Sequence, residues 1–201
     1  MSATIDEGGA VIDRVGWVAA VPIEQATGTL KEAYDWQAAV IGEPTEFTRL
    51  GSLHPHLVME RLRLYKEVEA VVSGLTEAER RLTVFVTSVL NATPHCASGA
   101  QAALRRAGVG DELVERLGAD PNALTGNPRW DEILRHVRLL TRTPGEITAG
   151  DLDRLRSVGL DDRDIVALNN LSAYYSYINR VATGLGLRTS IPDAHSAAAP
   201  R

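Results

Sequence analysis

TEAERRLTVFVTSVLNATPHCASGAQAALRRAG, residues 76–108, decides the fold. It opens with a capping box: the Thr76 hydroxyl can accept from a first-turn N–H, and the Glu79 carboxylate can reach back to the Thr76 backbone. Val84, Phe85, Val86, Val89 and Leu90 follow. β-Branched residues favour strands, so this run alone is ambiguous. The cap and the length decide for a helix over 76–91. Thr93 then reads as an N-cap and Pro94 as a first helical residue. They open a second helix over 94–107, closed by Gly108, and the two form an antiparallel pair. The only cysteine of the chain, Cys96, lies near their junction.

Helical periodicity continues on both sides. TLKEAYDWQAAVIG ends at Gly42. HPHLVMERLRLYKEVEAVVSG places Leu57, Leu62, Tyr65, Val68 and Val72 on one face and stops at Gly74. DELVERLG makes a short helix, and ADPNALTGNP a turn-rich connection. RWDEILRHVRLLTRT stops before Pro144, and Thr148 with Asp151 can cap TAGDLDRLRSVG. The last helix, DDRDIVALNNLSAYYSYINRVATGLG, aligns Ile165, Leu168, Leu171, Tyr175, Ile178 and Leu185. The expectation is one all-α domain of about eight helices over 23–187, after an N-terminal extension (1–22) and before a flexible tail (188–201).

The 201 residues suffice for one sizeable core, and 44 % apolar with 23 % charged residues is ordinary for a globular protein. A net charge of −5 argues against nucleic acid or an anionic membrane as partner. No apolar run is long enough to span a bilayer, and the N-terminus does not read as a signal peptide. One cysteine excludes an intramolecular disulfide and a multi-cysteine zinc site, and suits the cytoplasm. The histidines show no metal-ligand spacing; His54 and His56, flanking a proline, read as loop surface. Neither a metal nor a cofactor is expected.

The stretch 76–108, together with LLTRTPGEITAGDLDRLRSVGLDDRDIVALNNLSAYYSYINRVATGLGL (139–187) and FTRLGSLHPHL (47–57), resembles the alkylhydroperoxidase D-like (AhpD-like) and carboxymuconolactone decarboxylase superfamily. The resemblance is closest to its peroxidase-related branch, for which YINRVATGLGL is the most specific segment. It implies an all-α fold, a homo-oligomer (dimer or higher), and oxidoreductase chemistry served by a small thiol or thiol-dependent reductant. Active members carry Glu, then Cys-x-x-Cys, then His. Laid on this chain, those positions hold Arg81, Thr93, Cys96 and Ala100. Cys96 alone matches. The two-thiol peroxide cycle therefore has no resolving cysteine here, nor its usual proton relay.

Cys96 is thus read in two ways. In the first turn of a helix, near unpaired N–H groups, it is a reactive thiolate. Among Ala97, Gly99, Ala100, Ala102 and Ala103 it is a small packed hydrophobe. The resemblance places Arg81 near the thiol as a thiolate or anion stabiliser; alternatively Arg81 is solvated at the start of its helix. His95 is a weak helper, since adjacent helical residues do not face each other. The resemblance brings the last helix to the site, so Tyr174, Tyr177 and Asn179 are candidate pocket residues. Three functions follow: a one-cysteine thiol peroxidase or exchanger, a non-catalytic small-molecule or structural partner, and a repurposed pocket holding a carboxylate.

Overall fold

The capping box at Thr76 forms as expected: Thr76 Oγ1 accepts from Glu79 N–H at 3.2 Å, and Glu79 Oε2 accepts from Thr76 N–H at 2.8 Å. They start α4, Glu77–Leu90, in a computed structural model that describes residues 4–5 and 11–190. In chain order its companions are α1 (Gly28–Ile41), α2 (Glu46–Leu50), α3 (Pro55–Ala70), α5 (Pro94–Arg106), α6 (Asp111–Ala119), α7 (Pro128–Arg142), α8 (Ala149–Ser157) and α9 (Asp162–Gly184). Among the described residues that is one α-helix more than the eight expected. The extra one is α2, whose five residues are too short to show a period.

α4 is the central element and packs on α5, α7 and α9. Leu82 and Val86 of α4, Leu104 of α5, Leu134 and Val137 of α7, and Leu168 and Leu171 of α9 fill the core between them. α3 packs on α1 and α9. Its buried stripe differs from the expected one. Leu57 points outward, and Val72 lies beyond the helix, which ends at Ala70 rather than Gly74. Val58, Met59, Leu62 and Val68 are the buried positions, because α3 serves two neighbours and its apolar face is set by both.

The α4–α5 turn is a tight helix stop. Thr93 N–H donates to Ser88 O and Ala92 N–H to Val89 O, both at 3.0 Å, which is the Schellman pattern. The left-handed position usually belongs to glycine, but Ala92 holds it at φ +50°. A Cβ there costs about 1–2 kcal/mol. The strained turn sets the direction in which α5 leaves, and so fixes Cys96 against α4.

The departure from all-α is confined to the segment before α1. Strands β1 (Thr4–Ile5), β2 (Val11–Val15) and β3 (Val18–Ala20) form an antiparallel sheet in that order, with Thr4 opposite Ile12 and Val15 opposite Val18. The β2–β3 turn docks on the end of α9: Trp17 N–H donates to Leu185 O at 2.9 Å. Gly186 sits under the Trp17 ring at φ +80°, where a Cβ would lie 2.2 Å from the indole. That close approach explains the glycine in the ATGLGL segment. Of the residues expected to be a flexible tail, 188–190 are described and make contacts (below); 191–201 lie outside the described residues.

Candidate functional site

Pro94 occupies the first position of α5, His95 the second and Cys96 the third. Thr93 is the N-cap residue, as expected, but its hydroxyl does not cap. It bonds Thr183 Oγ1 at 3.0 Å and the Asn91 and Asn179 carbonyls at 3.3 and 3.5 Å. The contact with α9 outcompetes the local cap. Cys96 is 8 % exposed, and burial pushes its thiol up to about 12; the Arg61 guanidinium opposes that rise without reversing it. The helix N-terminus therefore does not make Cys96 a resting thiolate, because desolvation outweighs it.

The cation acting on Cys96 is Arg61 of α3, not Arg81. Arg81 is buried rather than solvated: its Nη1 and Nη2 donate to Glu69 at 3.3 and 3.1 Å, and its Nε donates to Glu77 at 2.6 Å. Arg80 Nη2 lies 3.6 Å from the same Glu69 and donates to the Val68 and Glu69 carbonyls. Tyr175 OH completes the cluster, donating to Glu69 Oε1 at 3.0 Å. Glu69, whose side chain is only 3 % exposed, collects both arginines and the phenol, and leaves Arg81 nothing to offer Cys96.

Arg61 has a different environment. Its Nη2 donates to the buried Thr48 Oγ1 at 2.9 Å, and its guanidinium lies 4.5 Å from the Phe47 ring centroid. Tyr174 OH donates to the Arg61 carbonyl at 3.4 Å and its phenol also bonds the guanidinium, whose charge reaches the Tyr177 phenol and the Cys96 thiol. Among the described residues no carboxylate lies within ion-pair distance of it. Burial without a counter-ion lowers its affinity for its proton, yet a guanidinium stays charged at neutral pH. Phe47 and Thr48 come from α2, which is why the unexpected short helix matters.

The expected pocket residues divide. Tyr174 is buried and reaches Arg61; its ring lies 6.0 Å from Tyr65 and 5.6 Å from Tyr175. Tyr177 is 40 % exposed on the same side. Asn179 is fully buried, with Oδ1 and Nδ2 at 3.4 and 3.3 Å from Ser88 Oγ, so it ties α9 to α4 instead of lining a pocket. His95 is buried with Nδ1 3.2 Å from the Thr189 carbonyl, and burial lowers its pKa. Thr189 also donates to Glu46 of α2, so the start of the presumed tail bridges α2 to the first turn of α5.

Arg61 is the residue that the sequence reasoning missed. Its signal was present: Val58, Arg61, Tyr65 and Val68 follow the three-four spacing of a buried stripe, with a charge where an apolar residue belongs.

No protein-family model matches the chain, and no curated protein does. Solved structures do. A peroxidase-related protein from Ralstonia eutropha JMP134, described as an alkylhydroperoxidase AhpD core, superposes with a TM-score of 0.77 at 18 % identity over 88 % of this chain and 93 % of its own. A peroxidase-related protein from Silicibacter sp. TM1040 gives 0.70 at 22 %, over 83 % and 88 %. The debrominase Bmp8, as a cysteine-to-alanine variant in complex with 2,3,4-tribromopyrrole, gives 0.67 at 15 %, over 91 % and 94 %. At these identities the likeness shows the fold, which is that of the AhpD-like, peroxidase-related proteins.

Proposed function

We propose that the chain is a one-cysteine thiol oxidoreductase of the AhpD-like kind, with Cys96 as the reacting group and Arg61 as its neighbouring charge. The observation that supports this reading is that the chain's sole cysteine, in the first turn of α5, feels the charge of a guanidinium that has no carboxylate in ion-pair range among the described residues. In a peroxide reaction the Cys96 thiolate sulfur attacks one peroxide oxygen and the O–O bond breaks. The departing alkoxide takes up a proton, and the sulfur is left as a sulfenic acid. One external thiol converts this to a mixed disulfide with loss of water. A second thiolate attacks that disulfide, is itself oxidised, and regenerates the thiol. Because the resting group is the neutral thiol, the cycle is slow at neutral pH and needs an added small thiol.

A second reading, a ligand-binding protein without thiol chemistry, is favoured by the same burial that pushes Cys96 up to about 12. Peroxide consumption with added small thiol, in wild type and Cys96→Ser, separates the two. Thiol-dependent turnover lost in Cys96→Ser supports the first, and equal rates support the second. Fast turnover with a disulfide reductase alone would contradict the one-cysteine cycle.

The proposal includes a homo-oligomer, a dimer or higher, working in the cytoplasm. Leu57, Leu64 and Val71 are exposed at seven-residue spacing on and just after α3, which supports association through that face. No described helix is long and apolar enough to cross a membrane. A monomer by sedimentation at tens of micromolar would count against the assembly.

A further inference from the structure

We infer that Arg61 is the recognition centre of a binding site for a small organic carboxylate with an apolar or aromatic body, seated between α2, α3 and α9 beside Cys96. The inference deepens the proposed function by naming a substrate class, and it rests on that reading only for the role of Cys96.

Four features of the site support it. First, a charge taken out of water needs a partner, and buried guanidiniums are normally held by carboxylates. The chain meets that need for Arg81 with Glu69 and Glu77, for Arg129 with Glu79, and for Arg135 with Glu132 and Asp151. At Arg61, which is half-buried, it supplies the Thr48 hydroxyl, the Tyr174 phenol and the face of Phe47, and no carboxylate among the described residues. Second, a guanidinium has five N–H donors in a planar fork suited to a carboxylate, and the bonds to Thr48 and Tyr174 leave donors for a bidentate partner. Third, what surrounds the fork is aromatic: Phe47 beneath it and Tyr174 beside it, with the half-exposed Tyr177 at the edge. Such walls suit a flat or apolar ligand body, and the Tyr177 phenol can donate to the ligand's oxygens. Fourth, α2 and α3 hold Arg61 in place, so the fork is oriented before the ligand arrives.

The arrangement also sets what surrounds the ligand. The Arg61 charge bears on Cys96, so the thiol belongs to the surroundings of a carboxylate on the fork. A bound anion compensates Arg61 and takes away its help to the thiolate, so a pure anion should not activate the thiol. A ligand carrying both a carboxylate and an electrophilic atom would react by proximity instead.

The test uses the intact chain and two probe pairs. Calorimetry with benzoate and its neutral isostere benzamide should show benzoate binding at least about tenfold tighter, a difference of about 1.4 kcal/mol. Arg61→Met should abolish the preference and Arg61→Lys should weaken it, while Cys96→Ala should keep it. Equal binding of the two probes, or none below about 10 mM, would overturn the inference, since a charge-assisted bidentate pair in an aromatic pocket should be visible there. The wild-type comparison needs no variant to fold. In parallel, Cys96 alkylation by iodoacetate should saturate. Its rate relative to iodoacetamide should exceed the ratio for a free small thiol about tenfold or more, and Arg61→Met should remove that excess. A ratio equal to that of the free thiol would refute the placement beside Cys96. If neither reagent labels Cys96 while benzoate binds, the thiol oxidoreductase reading fails and the carboxylate site stands.

Discussion

Two arginines, Arg81 of α4 and Arg61 of α3, end in opposite situations. Arg81 is buried with Glu69, Glu77 and the Tyr175 hydroxyl, and Arg61 is half-buried with a threonine, a phenylalanine ring and the Tyr174 phenol. Adjacent residues of α9 serve the two clusters: Tyr175 turns to Glu69 and Tyr174 to Arg61, their rings edge to face. A buried charge that is fully matched holds helices together and has no spare valence for a ligand. A partly buried charge without a counter-ion keeps donors for one. In the proposed reading the presence of a carboxylate, rather than the residue type, separates the structural Arg81 from the binding Arg61.

The largest expected effect breaks the matched cluster. Glu69→Ala strands Arg80 and Arg81 in a site with little water and should cost about 3–5 kcal/mol in chemical denaturation. Glu69→Gln, which can still accept from Tyr175, should cost less. A loss below about 1 kcal/mol would mean that the cluster is solvated in solution and that the contrast with Arg61 is false.

Next comes a dependence on pH that belongs to neither arginine and tests burial at two histidines. His95 beside Cys96 and His136 in α7 are kept neutral by desolvation, and both bind protons less readily in the folded chain. Their neutral forms contribute fully above the ordinary value near 6.5. As pH falls below it the unfolded chain takes up protons first, so stability should decline by up to about 1.4 kcal/mol per pH unit and histidine, until the lowered folded value is reached. His136→Leu should flatten the part of the slope due to α7. A stability profile flat from pH 7 to about 5 would place both rings in water.

The third prediction sharpens the contrast. Arg61→Met removes a charge that has no carboxylate, so it should change stability by less than about 1 kcal/mol, or raise it. A loss as large as that of Glu69→Ala would reveal a structural partner and weaken the ligand site. The smallest expected effect is none. Arg81→Ala should leave the pH dependence of Cys96 labelling unchanged, because Arg81 does not act on the thiol. A raised pKa of Cys96 in that variant would restore Arg81 to the site.

Much of the fold was legible. The capping box, Pro94, the glycine stops at Gly42 and Gly108 and the long stripe of α9 are local signals, and local geometry honours them; the stop expected at Gly74 is the exception. Three features were not. α2 is shorter than any period that could reveal it, and the N-terminal strands dock through their β2–β3 turn on Leu185 at the end of α9, a contact distant in sequence. The Thr93 hydroxyl gave up its cap for Thr183, ninety residues away in sequence. Of the residues in the proposed site, Cys96, Tyr174 and Tyr177 were nameable from the sequence. Asn179 could not be assigned correctly, because a buried amide that ties two helices and one that lines a pocket look alike until its partner Ser88 is known.

The sequence by itself determined the helices around Cys96, their caps and the uniqueness of the thiol, because these depend on residues within a turn or two of each other. Only the tertiary structure decided which cation meets that thiol and whether the thiol is charged. Arg81 is fifteen residues from Cys96 in sequence and Arg61 is thirty-five. The tertiary packing nevertheless makes Arg61 the charge that bears on the thiol, while Glu69 on the same helix as Arg61 takes up Arg81. Desolvation, which depends on every element packed around the sulfur, then outweighs the helix N-terminus that the local sequence had promised.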